Sequence, residues 1–190
     1  MKMFRFFMQY LKEHQTPAVR RLHVAVIILV LSQIVISNFM SISDTGKISS
    51  DSIEFYGTWL HILVGILIIP VSFAFVTVVI KEHGFKHYYP YLVGIFSQLI
   101  SDIQQLMKFK LPESSPHGLA SIVQGLGLGA LLLVAFSGLS WFLAWSFNLP
   151  WANDVKEIHM FFTGLIQAYL IGHGFVGILH VYLHSKLNNK

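Results

Sequence analysis

Histidine is the residue type in this sequence that most clearly suggests chemistry. The chain of 190 residues contains ten histidines and no cysteine. Imidazole nitrogens bind transition metals and exchange protons near neutral pH, whereas disulfides, cysteine-held iron–sulfur clusters and covalently attached c-type haem all need thiols. Any metal or redox centre in this chain must therefore be held by other side chains, and histidine is the strongest candidate.

Half of these histidines lie in or at the ends of long apolar stretches: His23, His61, His159, His173 and His180. An ionisable side chain inside a membrane span is costly, and by default it marks a functional site. The other histidines belong to connecting segments or helix termini, where solvation is the usual role. The first group therefore supplies the candidate ligands.

The composition predicts that membrane helices position these histidines. Hydrophobic residues make up 54% of the chain and charged residues only 12%, which is far from the composition of a soluble domain of this size. A helix needs roughly 20 apolar residues to cross a hydrocarbon layer about 30 Å thick. Four uncharged stretches satisfy this: 22–40, 58–80, 119–147 and 158–183. We therefore predict an all-α fold, an integral membrane four-helix bundle forming one domain over residues 1–190.

The segment between the second and third spans is too long and too apolar for a plain loop. Residues 91–107 place apolar side chains at helical intervals between polar ones, which is typical of a helix lying in the membrane interface. We predict an interfacial helix there, on the cytoplasmic side.

The distribution of cations predicts the orientation. Of 13 Lys and Arg residues, only Lys47 and Lys156 fall in the two outer connections, and the others lie in the termini and the long connection. Because short cytoplasmic loops collect Lys and Arg, we expect a multi-pass protein with both termini cytoplasmic. The cations sit at the ends of apolar runs and form no basic face, so we expect membrane lipid and no nucleic acid as a partner.

Depth divides the candidate histidines into two levels. His61 and His159 lie near the outer face, and His23 lies near the inner face. His173 and His180 follow His159 by fourteen and twenty-one residues, or about 21 and 31 Å along a helix, and at about 100° per residue they share one helical stripe with it. One imidazole from each of two helices at one level is what bis-histidine haem requires. His61 then pairs with His159, and His23 with His173 or His180.

Three motifs carry a family resemblance: RRLH at 20–23, WLHILVG at 59–65 and IHMFFTGLIQAYLIGHGFVGILH at 158–180. Together they resemble the bacterial di-haem cytochrome b561 superfamily, which includes the cytochrome b subunits of formate dehydrogenases and nickel–iron hydrogenases. The resemblance implies four helices that hold two b haems. It further implies ligands on the first, second and fourth spans, with the two on the fourth span fourteen residues apart.

On these positions the resemblance implies four ligands to haem iron: His23, His61, His159 and His173. The smaller separation of about 21 Å between levels also favours His173, because about 31 Å would leave a wide gap for electron tunnelling. His180 then becomes a candidate for a quinone site.

The expected function is electron transfer across the bacterial inner membrane between a periplasmic or membrane redox partner and the quinone pool. The chain would be the quinone-linked electron-transfer subunit of a larger oxidoreductase. The alternative is a self-sufficient oxidoreductase that passes electrons between superoxide, or another small molecule, and quinone. A homo-oligomer is left open. A metal-ion transporter is disfavoured because the acidic residues lie outside the spans.

Three further residues are candidates beside the inner haem. His117 precedes the third span on the cytoplasmic side, so its imidazole could exchange a proton with quinone, although solvation in a loop is an equal alternative. Arg20 and Arg21 are placed to pair with haem propionates, although anchoring at lipid headgroups is the more frequent role of such residues.

Overall fold

Four long helices dominate the computed structural model. It describes residues 8–9, 11–12, 15–43, 45–110, 112 and 115–187, without the side chains of residues 180, 181 and 183–187. The long helices are α1 (Pro17–Ser37), α2 (Ser52–His83), α5 (Leu119–Ser146) and α6 (Ala152–Leu187). All four are long and apolar enough to cross a membrane, so the predicted all-α membrane bundle is confirmed.

Polar caps extend the helices beyond the uncharged stretches that predicted them. The Thr16 hydroxyl accepts a hydrogen bond from the Val19 amide (3.3 Å), so α1 begins before the predicted span. The Asp51 carboxylate accepts from the amides of Ile53 (2.9 Å) and Glu54 (3.2 Å) at the start of α2. Such caps satisfy the amides that a helix start leaves unpaired, which hydropathy alone does not register.

A layer of apolar side chains from all four spans forms the centre of the bundle. It consists of Val30, Ile68, Ala130, Leu131 and Ile166, each at most 7% exposed. We call these five residues the central layer. Ile166 lies midway along α6 between His159 and His173. The central layer therefore occupies the depth between the two predicted histidine levels.

The connection between α2 and α5 is helical but interrupted. It contains α3 (Phe85–Tyr88), a 3-10 helix over Pro90–Val93, and α4 (Ser97–Met107). The sequence predicted one helix over 91–107. Gly94 adopts a left-handed conformation (φ 75°), which glycine tolerates without steric cost and which a continuing helix does not allow.

A buried carboxylate joins this connection to the third span. Asp102 on α4 is only 1% exposed. It accepts hydrogen bonds from the Gln98 side-chain amide (2.8 Å) and from the Leu119 main-chain amide (2.7 Å) at the start of α5. A charged acceptor is favourable at a helix N-terminus, so Asp102 caps α5 from another helix.

Candidate functional site

Four of the predicted histidines face each other as two pairs across the bundle. His23 on α1 faces His173 on α6, with 6.4 Å between the ring centres and 61° between the planes. His61 on α2 faces His159 on α6, with the same 6.4 Å separation and 76° between the planes. We call these the inner pair and the outer pair.

The separation in each pair fits an ion held between two axial imidazoles. Imidazole nitrogens bind transition metals at about 2.0–2.1 Å, and each nitrogen lies about 1 Å from its own ring centre. Two imidazoles on opposite sides of one iron therefore have their ring centres roughly 6 Å apart. Within the described helices, the backbone of α6 packs closely along α5 and not along α1 or α2. The imidazole pairs bridge the wider gap that separates α6 from α1 and α2.

The outer pair is oriented by the main chain of α5. Nδ1 of His159 lies 3.1 Å from the Val134 carbonyl oxygen and 3.1 Å from the Ser137 hydroxyl. A carbonyl can only accept, so this contact favours the tautomer with a proton on Nδ1, which leaves Nε2 to bind a metal. Gly138 provides the space, because a Cβ at that position would come within 2.9 Å of the His159 ring.

His61 is held through its backbone. Its carbonyl oxygen accepts a hydrogen bond from the Gln33 side-chain amide on α1 (2.9 Å). Its Nδ1 is buried and has no hydrogen-bond partner among the described residues. A buried imidazole without a satisfied nitrogen is unusual for a residue that only fills space, and it suits a ring that is kept for a ligand.

The inner pair is held by stacked aromatic rings. The ring of His23 lies parallel to that of Phe75 on α2, with centres 5.6 Å apart. The ring of His173 stacks on that of Tyr169 one turn earlier on α6, with centres 5.1 Å apart. Nδ1 of His23 also lies 3.2 Å from the side-chain nitrogen of Gln15. Both inner imidazoles are therefore fixed in orientation.

The remaining candidates differ in how much the structure says of them. His180 lies on the backbone of α6, but its side chain falls outside the described residues. Arg21 is exposed, and its Nε donates to the Pro17 carbonyl (3.2 Å) of its own helix. Arg20 is half-buried on α1, three residues before His23. The propionate role of both arginines stays a prediction.

His117 belongs to a cluster of three imidazoles beside the inner end of the bundle. The His87 ring lies 5.3 Å from that of His83 and 6.4 Å from that of His117, between ring centres. Burial lowers the pKa of His87, and the neighbouring His83 and His117 lower it further. We call these three residues the histidine cluster. No group of three or more His, Cys, Asp or Glu among the described residues is arranged to hold a metal ion.

An apolar contact joins the histidine cluster to the inner pair. The Tyr88 ring lies 4.6 Å from that of His87, and it is buried with Val19 and Val79, against which Phe75 also packs. Phe75 in turn stacks on His23. Tyr88 and Phe75, with the valines between them, thus lie between the cluster and His23.

The sequence did not reveal the groups that support the imidazoles, above all Gly127, Gly138, Ser137 and Gln15. The ring of Tyr169 occupies the place where a Cβ at Gly127 would be. Gly127 and Gly138 are eleven residues apart, about three helical turns, so they share one face of α5. The sequence thus contained a spacing that could have indicated a shared contact face. Its role can be recognised only once α6 is known to pack on this face.

A comparison with protein families finds a match over most of the chain. The family model described as prokaryotic cytochrome b561 matches residues 14–189. A comparison with curated proteins and a comparison with solved structures each gave no match.

Proposed function

Because this chain belongs to the prokaryotic cytochrome b561 family, and is thus a membrane b-type cytochrome of electron transfer, we propose that it holds two b haems. The observation that carries this proposal is the pair of 6.4 Å imidazole separations at two depths. In the proposal the whole chain, residues 1–190, acts as one membrane domain that conducts electrons between a redox partner and quinone.

The four imidazoles would hold the haem iron, with His61 and His159 at the outer site and His23 and His173 at the inner site. Bound there, b haem supplies one-electron chemistry between ferrous and ferric iron. The protein's part is to fix ligation, exclude water and set the local charge. Along α6 the two sites are fourteen residues apart, about 21 Å, and the central layer separates them.

The quinone side is proposed at the inner site. A quinone that takes electrons must also take protons, so it needs a titratable group within reach. The histidine cluster supplies three imidazoles, separated from His23 by Tyr88 and Phe75. The lowered pKa of His87 keeps that ring neutral near pH 7, so it would accept a proton that quinol releases, and it would pass a proton from solvent on to quinone without holding it. His117 and His87 are the residues we assign to proton exchange, and His180 remains a further candidate at this end.

The proposed orientation places the inner site towards the cytoplasm. It rests on the cation distribution, since 11 of the 13 Lys and Arg residues belong to the termini and the long connection. In a bacterial inner membrane this puts both termini, α3 and α4 on the cytoplasmic side. An activity reporter fused after Lys190 should then work only in the cytoplasm, and a periplasmic C-terminus would exchange the two sites.

The electron partner is proposed to be a protein, so the chain would be the membrane subunit of a larger oxidoreductase. The two connections on the proposed outer side, residues 38–51 and 147–151, are short, which favours a partner protein over binding of a soluble substrate by these connections. A self-sufficient oxidoreductase acting on superoxide is the second candidate. Purification from native membranes decides between them: a co-purifying redox protein supports the first, and superoxide-driven quinone reduction by the isolated chain supports the second. The same purification reveals any homo-oligomer.

The decisive test of the di-haem proposal is spectroscopic. The purified protein should contain two acid-extractable haems with low-spin bis-imidazole spectra. His61→Ala should remove the outer haem signal, and His173→Ala the inner one, each leaving the other spectrum largely intact. His180→Ala is the matched control on the same helix and should retain both haems.

Two results would contradict the assignment. A haem content near zero in protein made with sufficient haem supply would end the proposal. Loss of the inner haem in His180→Ala, with retention in His173→Ala, would transfer the inner ligand to the other histidine.

A further inference from the structure

The nitrogen of an axial histidine that does not bind iron carries a proton and needs an acceptor. For His159 at the outer site that acceptor is the Val134 carbonyl, 3.1 Å from Nδ1, whereas Nδ1 of His61 has no partner among the described residues. A main-chain acceptor is present whatever the side chain at that position. Such partners orient the ring and raise its basicity as a ligand.

At the inner site the corresponding group is a side chain. Nδ1 of His23 lies 3.2 Å from Nε2 of Gln15. Oε1 of the same glutamine is buried and has no hydrogen-bond partner among the described residues. If Nε2 of His23 binds iron, Nδ1 carries a proton and would face the Nε2 donor of Gln15. The acceptor of the same side chain, Oε1, would stay unpaired.

A half-turn of the Gln15 carboxamide exchanges its oxygen and nitrogen and so removes the clash of two donors. The two ends of the amide have nearly the same shape, so the rotation needs no additional space. Oε1 then accepts the proton of His23 Nδ1, and the buried oxygen is no longer unpaired. Leaving such a group unsatisfied in a buried site is unfavourable, so the paired arrangement is the stable one with iron bound.

The position of Gln15 is fixed by its neighbours. Its main-chain amide donates to the Leu11 carbonyl (3.0 Å). The next residue, Thr16, donates its hydroxyl proton to the Glu82 carboxylate at the end of α2, at 2.8 and 3.0 Å. These bonds hold the start of α1 against α2, and Gln15 is therefore placed beside His23 by more than its own side chain.

We propose that Gln15 is a positioning residue that accepts the Nδ1 proton of His23 and thereby lowers the reduction potential of the inner haem. This inference rests on the proposed di-haem function. A stronger acceptor gives the imidazole more anionic character, which stabilises ferric over ferrous iron. The inner potential should thus fall in the order of acceptor strength, from no acceptor through amide to carboxylate.

The test is a redox titration of the full-length protein with two variants of similar size. Gln15→Met removes the strong acceptor, and the inner midpoint potential should rise. Gln15→Glu supplies a carboxylate, and the same potential should fall below that of the wild type. The outer potential should stay unchanged in both, and the iron–imidazole stretching frequency of the inner haem should shift in opposite directions in the two variants.

Gln33→Met is the matched control. It also removes an amide beside an axial histidine, but this amide donates to the main-chain oxygen of His61 and not to the ring. The inner potential should therefore stay at the wild-type value in Gln33→Met.

Two outcomes overturn the inference alone: an unchanged inner potential in Gln15→Met with both haems bound, or an equal shift of both haems, which would indicate a general disturbance. If Gln15→Met does not accumulate in the membrane, the comparison of Gln15→Glu with the wild type decides, and an inner potential that is unchanged or raised overturns it. A wild-type protein that lacks the inner haem overturns the proposed function as well.

Discussion

The Tyr169 ring occupies the space that a side chain at Gly127 would need. The same ring supports His173, on which it stacks with 5.1 Å between the ring centres. Gly127 on α5 thus influences the inner pair through the ring of Tyr169, which belongs to α6. Two neighbouring spans are involved, α5 through the glycine and α6 through the tyrosine and the histidine. The stacking that supports His173 therefore requires that α5 carry no side chain at position 127.

Gly127→Ala should weaken inner haem binding and leave the outer haem bound. The added methyl displaces Tyr169, and overpacking of this kind typically costs about 1–3 kcal/mol. Haem content and the reduced-minus-oxidised spectrum measure the effect. Gly129→Ala, two residues away, is the matched control, because a Cβ there meets nothing within 4 Å among the described residues. Equal inner haem loss in both variants would contradict the role of Tyr169.

Gly138→Ala should have the reverse selectivity. Its Cβ would lie 2.9 Å from Cε1 of His159, so the imidazole must shift away from the Val134 carbonyl and from its place opposite His61. We expect a lower content or a changed low-spin spectrum of the outer haem, with the inner haem retained. An outer haem signal identical to that of the wild type would show that the ring can move at no cost.

Asp102→Ala should lower thermal stability without removing a haem ligand. The substitution leaves the Leu119 amide and the Gln98 side chain without their charged acceptor, and such a loss in a buried site is worth about 1–3 kcal/mol. Thermal unfolding followed by the helical signal measures it. Gln104→Ala, exposed on the same helix, should change stability little. Comparable losses in the two variants would argue against the cap.

Acidification should destabilise the protein in part through His87. Burial and the imidazoles of His83 and His117 lower its pKa below the ordinary 6.5, so the unfolded chain binds this proton more readily than the folded one. Stability is then fully present above about pH 6.5 and is lost as the pH falls towards the folded pKa. His87→Gln should flatten the dependence of the thermal midpoint on pH as the pH falls below the ordinary 6.5.

His117→Gln provides a graded comparison for this effect. It removes only one of the two neighbouring imidazoles and none of the burial, so it should recover less of the acid sensitivity than His87→Gln. Acid dependence that is the same in wild type and both variants would assign it to other groups.

The spans could be predicted because hydropathy is a property of each helix alone. Their number was correct, and the pairing of His61 with His159 follows the predicted level. The choice between His173 and His180 rested on the resemblance and on the smaller separation between levels, since both share one stripe of α6. The His173 ring faces His23, and the side chain of His180 lies outside the described residues. The haem ligation by these four residues stays a prediction that the variants above can test.

The supporting groups could not be predicted for a physical reason. Gly127 acts on a residue of another helix, so its role exists only after the helices pack. Gln15 lies just before α1 and contacts His23 eight residues later, and no helical period indicates that contact because Gln15 is outside the helix. The predicted interfacial helix was longer than the real one because its apolar spacing continues through Gly94, whereas the backbone turns there. The bond from Asp102 to the start of α5 likewise joins residues seventeen positions apart.

The central layer has an electrical consequence. Val30, Ile68, Ala130, Leu131 and Ile166 carry no group that can bind or relay a proton. In the proposed function, an electron that passes between the two levels gains no accompanying proton from these five residues, so its transfer through the layer moves net charge across part of the bilayer. Moving one charge across the whole membrane against 100 mV costs about 2.3 kcal/mol. This step crosses only part of the membrane and costs the corresponding fraction. The voltage across the membrane would thus favour one direction of flow and oppose the other, so the chain would act as a voltage-dependent conductor.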